Sequence, residues 1–154
     1  MAKRELSTRE LSDRLQINDL LIRYTRAIDT KDWALLDRCF TPDAHVDYTS
    51  AGGVAGDYPK VRAWLEKALA PFPMTVHALA NSIVEIDGDR ATARTYVHNP
   101  MGFANPDGSL HIFTVGAFYN DKLVWTDDGW RIRERIEETA FMDGSMPAAL
   151  QIPE

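Results

Sequence analysis

Histidine is the side chain whose unperturbed charge change falls near neutral pH, so the four histidines come first. His77 stands in Thr75-Val76-His77-Ala78-Leu79-Ala80-Asn81. Period-two alternation places it on one face with Thr75, Leu79 and Asn81. A histidine and an asparagine beside a leucine describe a partly polar cavity wall. They also describe a core histidine whose ring nitrogens are satisfied. His98 shares a face with Tyr96 and Arg94; it either enters the same cavity or opens the next loop. His111 reads as a rim residue. His45-x-Asp47 puts two donor groups on one strand face, a spacing that iron sites with two histidines and a carboxylate use. No third ligand is in register, so a surface pair is expected and no metal.

Two further groups sit on a helix. From Leu11 to Asp29, Ile17, Leu20, Leu21, Tyr24 and Ile28 recur at the offsets of one apolar face. Ser7 with Glu10 three places on reads as the capping box that opens it. Tyr24 carries a hydroxyl into that stripe. Asp29 closes the helix, where the macrodipole disfavours a carboxylate, so either a partner such as a histidine holds it or it merely starts the turn. Arg131, Arg133 and Arg135 alternate with Trp130, Ile132, Glu134 and Ile136. That basic face suits a solvated or subunit-facing sheet, or one arginine anchoring an anionic or carbonyl group. Cys39 lies at helical spacing with Trp33, Leu36 and Phe40 and reads as a buried structural thiol. No nucleophile elbow, P-loop, H-E-x-x-H or dinucleotide glycine pattern occurs.

The elements that must position these groups follow in order. Trp33 to Phe40 reads as a second short helix, broken by Thr41-Pro42-Asp43. His45 to Tyr48 is a short strand, and Ser50 to Gly53 a flexible segment. Tyr58 to Leu69 is a third helix. Thr75 to Asp87, Ala91 to Asn99, Ser109 to Thr126 and Trp130 to Thr139 are strands, with turns at Asp87-Gly88-Asp89 and Asp127-Asp128-Gly129 and a loop over Pro100 to Gly108. Helices with one early strand, then an antiparallel meander, make an α+β fold with helices on one face of a curved sheet. The tail from Met142 to Glu154 is apolar and is expected to cover a pocket mouth or a partner subunit.

At 154 residues and 45% hydrophobic composition, the chain suits one domain with a real core. The net charge of −6 without a basic run argues against nucleic acid and anionic membranes as partners. No apolar leader and no span of eighteen apolar residues is visible, so a cytoplasmic protein is expected. One cysteine excludes an internal disulfide.

A family resemblance rests on particular residues. Ile17-x-x-Leu20-x-x-x-Tyr24-x-x-x-x-Asp29-x-x-Asp32-Trp33 and Phe40-Thr41-Pro42-Asp43-Ala44 resemble the SnoaL-like branch of the nuclear transport factor 2-like superfamily. So do His77 near Asn81, Asp87-Gly88-Asp89-x-Ala91, and Tyr119-x-Asp121 before Asp128-Gly129-Trp130-Arg131-Ile132. The match covers roughly residues 7 to 140 of a single domain, 1–154, leaving a tail over 141–154. The superfamily includes scytalone and bile-acid dehydratases, hexachlorocyclohexane dehydrochlorinase, steroid isomerases, polyketide cyclases and non-catalytic small subunits of ring-hydroxylating dioxygenases.

The resemblance implies a cone-shaped α+β barrel, a curved, mostly antiparallel sheet around the N-terminal helices with an apolar pocket inside. It implies a dyad of Asp29 with His77, a catalytic Tyr24, and a second polar group near His98. The activity implied is a cofactor-free elimination of water or halide, or a related isomerisation. Tyr48 joins Tyr24 as a donor. Trp33, Phe40, Trp64, Asn81, Phe113, Phe118 and Arg133 are expected around a small, cyclic, mostly apolar substrate. The competing expectation is a ligand-binding module or an oxygenase small subunit. The alternating outer face of the last strands implies a homodimer or homotrimer.

Overall fold

The computed structural model describes residues 5–147. The first helix, α1 (Thr8–Thr30), opens on the expected capping box. Ser7 accepts from the Glu10 N–H, and the Glu10 carboxylate accepts from the Ser7 N–H. It runs past Ile28 and ends where Lys31 turns left-handed at φ 55°. Its stripe of Ile17, Leu20, Leu21, Tyr24, Ala27 and Ile28 is buried. Asp32 caps α2 (Trp33–Asp37). That helix stops three residues short of the expected Phe40, because Phe40 already pairs with the last strand and the Cys39 carbonyl accepts from the Ile132 N–H.

The early strand is therefore longer than expected. It is β1 (Phe40–Asp47), followed by a single 3-10 turn over Thr49–Ala51 and a short β2 (Ala55–Asp57). Helix α3 (Tyr58–Ala68) carries Pro59 in its first turn, where the missing N–H costs nothing. The expected strand from Thr75 splits at Val76-His77 into β3 (Met74–Thr75) and β4 (Ala78–Asp87). Strand β5 (Arg90–Ala104) runs through the expected loop: Pro100 stays in the ladder, opposite Thr114, and its carbonyl accepts from the Val76 N–H. The real turn is Asn105 to Ser109, with Gly108 left-handed. Then come β6 (Leu110–Thr126) and β7 (Gly129–Asp143).

The strands form one mixed sheet in the order β2-β1-β7-β6-β5-β3, with β4 also paired to β5. All pairings are antiparallel except β1 with β7, which is parallel. The sheet curls around α1 as a cone-shaped α+β barrel, so the buried stripe of α1 fills the concave side. No helix of the described residues is long and apolar enough to cross a membrane.

Three irregularities decide which side chains face inward. In β7 the pairing steps from Leu123↔Ile132 to Lys122↔Glu134, so Arg133 is an extra residue. A bulge of this kind shifts the in–out alternation by one. Trp130 and Ile132 point in before it, and Arg135 points in after it. A second bulge at Ala140 lets the Phe141 ring lie flat over Gly116, where a Cβ would stand 2.0 Å from a ring carbon. The third lies in β4, between Leu79↔Val97 and Ser82↔Thr95, and carries Asn81 outward.

Candidate active site

A cavity of about 120 Å³ lies between α1, α3, the 3-10 turn and the concave sheet. Ile28, Trp64, Leu65, Leu69, Phe72, Met101, Phe113 and Val115 give it an apolar wall. Its polar groups are few: Tyr24, Tyr48, His77, Asn99, Tyr119 and Glu137.

His77 sits in the break between β3 and β4, against the C-terminal flank of α1. Its Nδ1 lies 2.6 Å from Asp29 Oδ1. The His77 backbone N–H donates to Asp29 Oδ2 at 2.9 Å, and Thr75 Oγ1 donates to Oδ1 at 3.0 Å. Burial works against the carboxylate, but these donors outweigh it and hold the Asp29 pKa below the ordinary value. A carboxylate can only accept, so Nδ1 carries a proton, and in the neutral ring the lone pair is on Nε2. The macrodipole penalty at the end of α1 is thus offset by three hydrogen bonds.

Beside this hydrogen-bonded pair stands a cluster of tyrosines. The Tyr24 and Tyr48 hydroxyls are 2.9 Å apart. The Tyr24 ring packs edge-on to Tyr119 at 5.7 Å and to His77 at 6.3 Å. Burial pushes all three tyrosines well above the ordinary phenol range, so they are neutral donors at physiological pH. Behind them Arg135, fully buried, makes a two-pronged pair with Asp121, both contacts at 2.7 Å. Its guanidinium lies 4.1 Å from the centre of the Tyr24 ring and 4.0 Å from that of Tyr119. Burial disfavours its charge; Asp121 more than restores it.

Of the residues expected from sequence, Tyr24, Tyr48, Trp64, His77 and Phe113 line the cavity, and Asp29 stands behind His77. The others lie elsewhere. His98 is exposed on the outer face, because Val97 and Asn99 take the inward positions of β5. Phe118 also faces out, edge-on to Tyr96 with Arg94 4.0 Å over its ring. Asn81 is exposed beyond the β4 bulge. Arg133 is exposed and pairs with Asp43, so Arg135 is the inward arginine. Phe40 is core, stacked on Tyr58 at 4.6 Å, one layer behind Tyr24. Trp33 is half-buried beneath Arg62. Asp47 caps the Thr49 turn, while His45 is exposed. Cys39 is buried and its thiol pKa is pushed up to about 11 by that burial, which suits a structural thiol.

Sequence reasoning missed Asn99, Tyr119, Glu137 and Asp121 as inward groups, and left the inward arginine open between Arg133 and Arg135. Strand parity alone would have marked Asn99; the bulge hid Arg135 and Glu137. From the tail, Met146 reaches the cavity and His111 Nε2 meets the Ser145 carbonyl at 2.6 Å. The rest of the expected cover, 148–154, lies outside the described residues.

Comparison with known proteins places this geometry in a family. Residues 9–136 match the SnoaL-like domain. An uncharacterized protein of Mycobacterium tuberculosis is 46% identical over 136 residues, spanning 88% of this chain and 91% of its own. A candidate aromatic ring hydroxylase from Novosphingobium aromaticivorans superposes with a TM-score of 0.77 at 28% identity, covering 88% of this chain and 94% of that one. A candidate scytalone dehydratase from the same species gives 0.78 at 19% identity, covering 91% and 92%, a likeness of fold. The chain belongs to the SnoaL-like domain family, with the cone-shaped fold of the nuclear transport factor 2-like superfamily.

Proposed function

We propose that this protein is a lyase-type enzyme that removes a proton from carbon and expels a leaving group from a small cyclic, mostly apolar substrate. The observation that carries the reading is the Asp29–His77 contact of 2.6 Å, with the ring facing an apolar cavity. His77 Nε2 takes the proton as general base. Asp29 holds the ring in the tautomer that leaves Nε2 free and stabilises the imidazolium that forms. Tyr24 and Tyr48 are hydrogen-bonded to each other, and the O–H that this pair leaves free donates to oxygen that gains charge in the transition state. None of these steps calls on a cofactor. The cavity, about 120 Å³, is a little smaller than the roughly 150 Å³ that takes benzene, so it limits the substrate to a single ring at most.

The test is a screen of cyclic alcohols, halides and enones, read as conjugated absorbance gained or lost. Activity that disappears in His77→Ala, with the fold kept by circular dichroism, is the expected result. A His77→Ala protein that melts earlier yet turns over normally per folded molecule would make the dyad a buried polar pair and end the proposal.

A second reading is the alternative that the family resemblance leaves open: a non-catalytic subunit or binding module. It gives the Asp29–His77 pair no task. Stable co-purification with a ring-hydroxylating large subunit, and no activity alone, would select it.

A further inference from the structure

Glu137 is a carboxyl group that the reading above does not use. It lies on β7 directly opposite Tyr119 of β6, and it lines the same cavity as His77. Its position inside is a product of the Arg133 bulge, which turns Arg135 and Glu137 inward together. The Ser50 hydroxyl donates to its backbone carbonyl, fixing the strand, and no side chain donates to its carboxyl oxygens among the described residues. His77 and Glu137 stand at the two ends of the tyrosine cluster. The His77 ring meets Tyr24, Tyr24 meets Tyr119, and Tyr119 is the cross-strand neighbour of Glu137. Two proton-carrying groups thus flank a platform of neutral hydroxyls.

We propose that Glu137 is the general acid of this site, and that the leaving group is therefore a hydroxyl, making the substrate class cyclic β-hydroxy carbonyl compounds rather than halides. The proposal rests on the elimination reading and deepens it. Halide departs without protonation, whereas hydroxide needs a proton to leave as water. A cavity carboxyl group that still holds its proton in a good share of molecules at neutral pH can give it. Burial raises the Glu137 pKa to about 7, against the opposing charge of Arg135 on its own strand. The other titratable groups facing it are Tyr119 of β6 and Tyr48 ahead of the 3-10 turn, and burial keeps both neutral.

The step balances without a co-reactant. His77 Nε2 takes the proton from the carbon next to the carbonyl. The C–O bond breaks, the double bond forms, and the Glu137 O–H proton leaves with the oxygen as water. An imidazolium and a carboxylate remain. One proton lost from His77 to solvent and one gained by Glu137 restore both groups.

The experiment has two arms, both on the full chain. Carbon-13 NMR of the wild-type protein, with the Glu137 carboxyl signal correlated to its own backbone, is followed from pH 4 to 9. A midpoint near 7 is expected. Titration at the ordinary glutamate position, ~4.3, overturns the proposal whatever becomes of the elimination reading. The second arm compares 3-hydroxycyclohexanone and its ring-substituted relatives with their 3-chloro counterparts, in wild type, Glu137→Gln and His77→Ala. Glu137→Gln is expected to slow the alcohols by ~10²–10⁴-fold more than the chlorides, while His77→Ala abolishes both. Equal loss on both series, or on neither, removes Glu137 as the acid. A wild type inert on every compound while Glu137 titrates near 7 sinks the elimination reading, and the substrate class with it, and leaves the NMR result standing.

Discussion

Replacing Asp29 by asparagine changes one oxygen to an amide nitrogen and turns the logic of the dyad around. Asp29 now accepts three hydrogen bonds, from the His77 ring, the His77 backbone N–H and Thr75. The backbone N–H cannot reverse its role, so the one oxygen left in the Asp29→Asn side chain must serve it. The new NH2 group then faces Nδ1 with a donor. Nδ1 becomes an acceptor, the proton moves to Nε2, and the base loses the lone pair that faces the cavity. A wrong tautomer of this kind costs on the order of 10⁴ in the serine-protease triad. Each tenfold is 1.36 kcal/mol, so the expected loss in kcat is about 5 kcal/mol of transition-state stabilisation. The side chain keeps its volume, and circular dichroism should be unchanged. His77→Ala should fall by a similar factor, and the double variant by no more than either single one, because both disable one unit. Nitrogen-15 NMR of the imidazole reads the tautomer directly. Wild-type turnover in Asp29→Asn, or losses in the double variant that multiply, would refute the dyad.

Other outcomes follow from the same geometry. Tyr24→Phe should reduce kcat by ~10²-fold, the cost of one donor to developing charge, and leave KM nearly unchanged; unaltered kcat would place its hydroxyl outside the reaction. Asp121→Ala leaves Arg135 charged and fully buried, so urea unfolding should lose about 3–5 kcal/mol, and a loss under about 1 kcal/mol would contradict a dry pair. Asp29 has a folded pKa below its unfolded one, so its stabilisation is present above the ordinary carboxylate range and fades as pH falls through the folded value; Asp29→Asn should flatten that acid limb of the melting curve, and an unchanged limb would show the carboxylate unpaired. The outer face carries Ile83, Tyr96 and Ile136, each at least 41% exposed, and a dimer or trimer through that sheet is expected by light scattering; a monomer at micromolar concentration would contradict it.

Local chemistry made much of this protein legible. The capping box at Ser7 and Glu10, the 3.6-residue stripe of α1, the Asp32 cap of α2 and the turn at Asp87-Gly88-Asp89 each depend on residues within a few positions of one another. So the helices and most strands could be read directly. The pairing of Asp29 with His77 was reached through the family resemblance, since nothing local joins residues 48 positions apart. The errors fall where a contact between distant segments overrides a local signal. Pro100 looked like a loop residue, yet β5 continues because its neighbours on β6 and the Val76 N–H supply the hydrogen bonds. Phe40 looked helical, yet β7 draws it into the sheet. The inward set was decided by register. One extra residue at Arg133, and the register break in β4, change which parity faces the cavity, exchanging Arg133 for Arg135, admitting Glu137 and excluding Asn81. A bulge is a property of two paired strands, not of either strand's residues, and only the assembled sheet could place those groups.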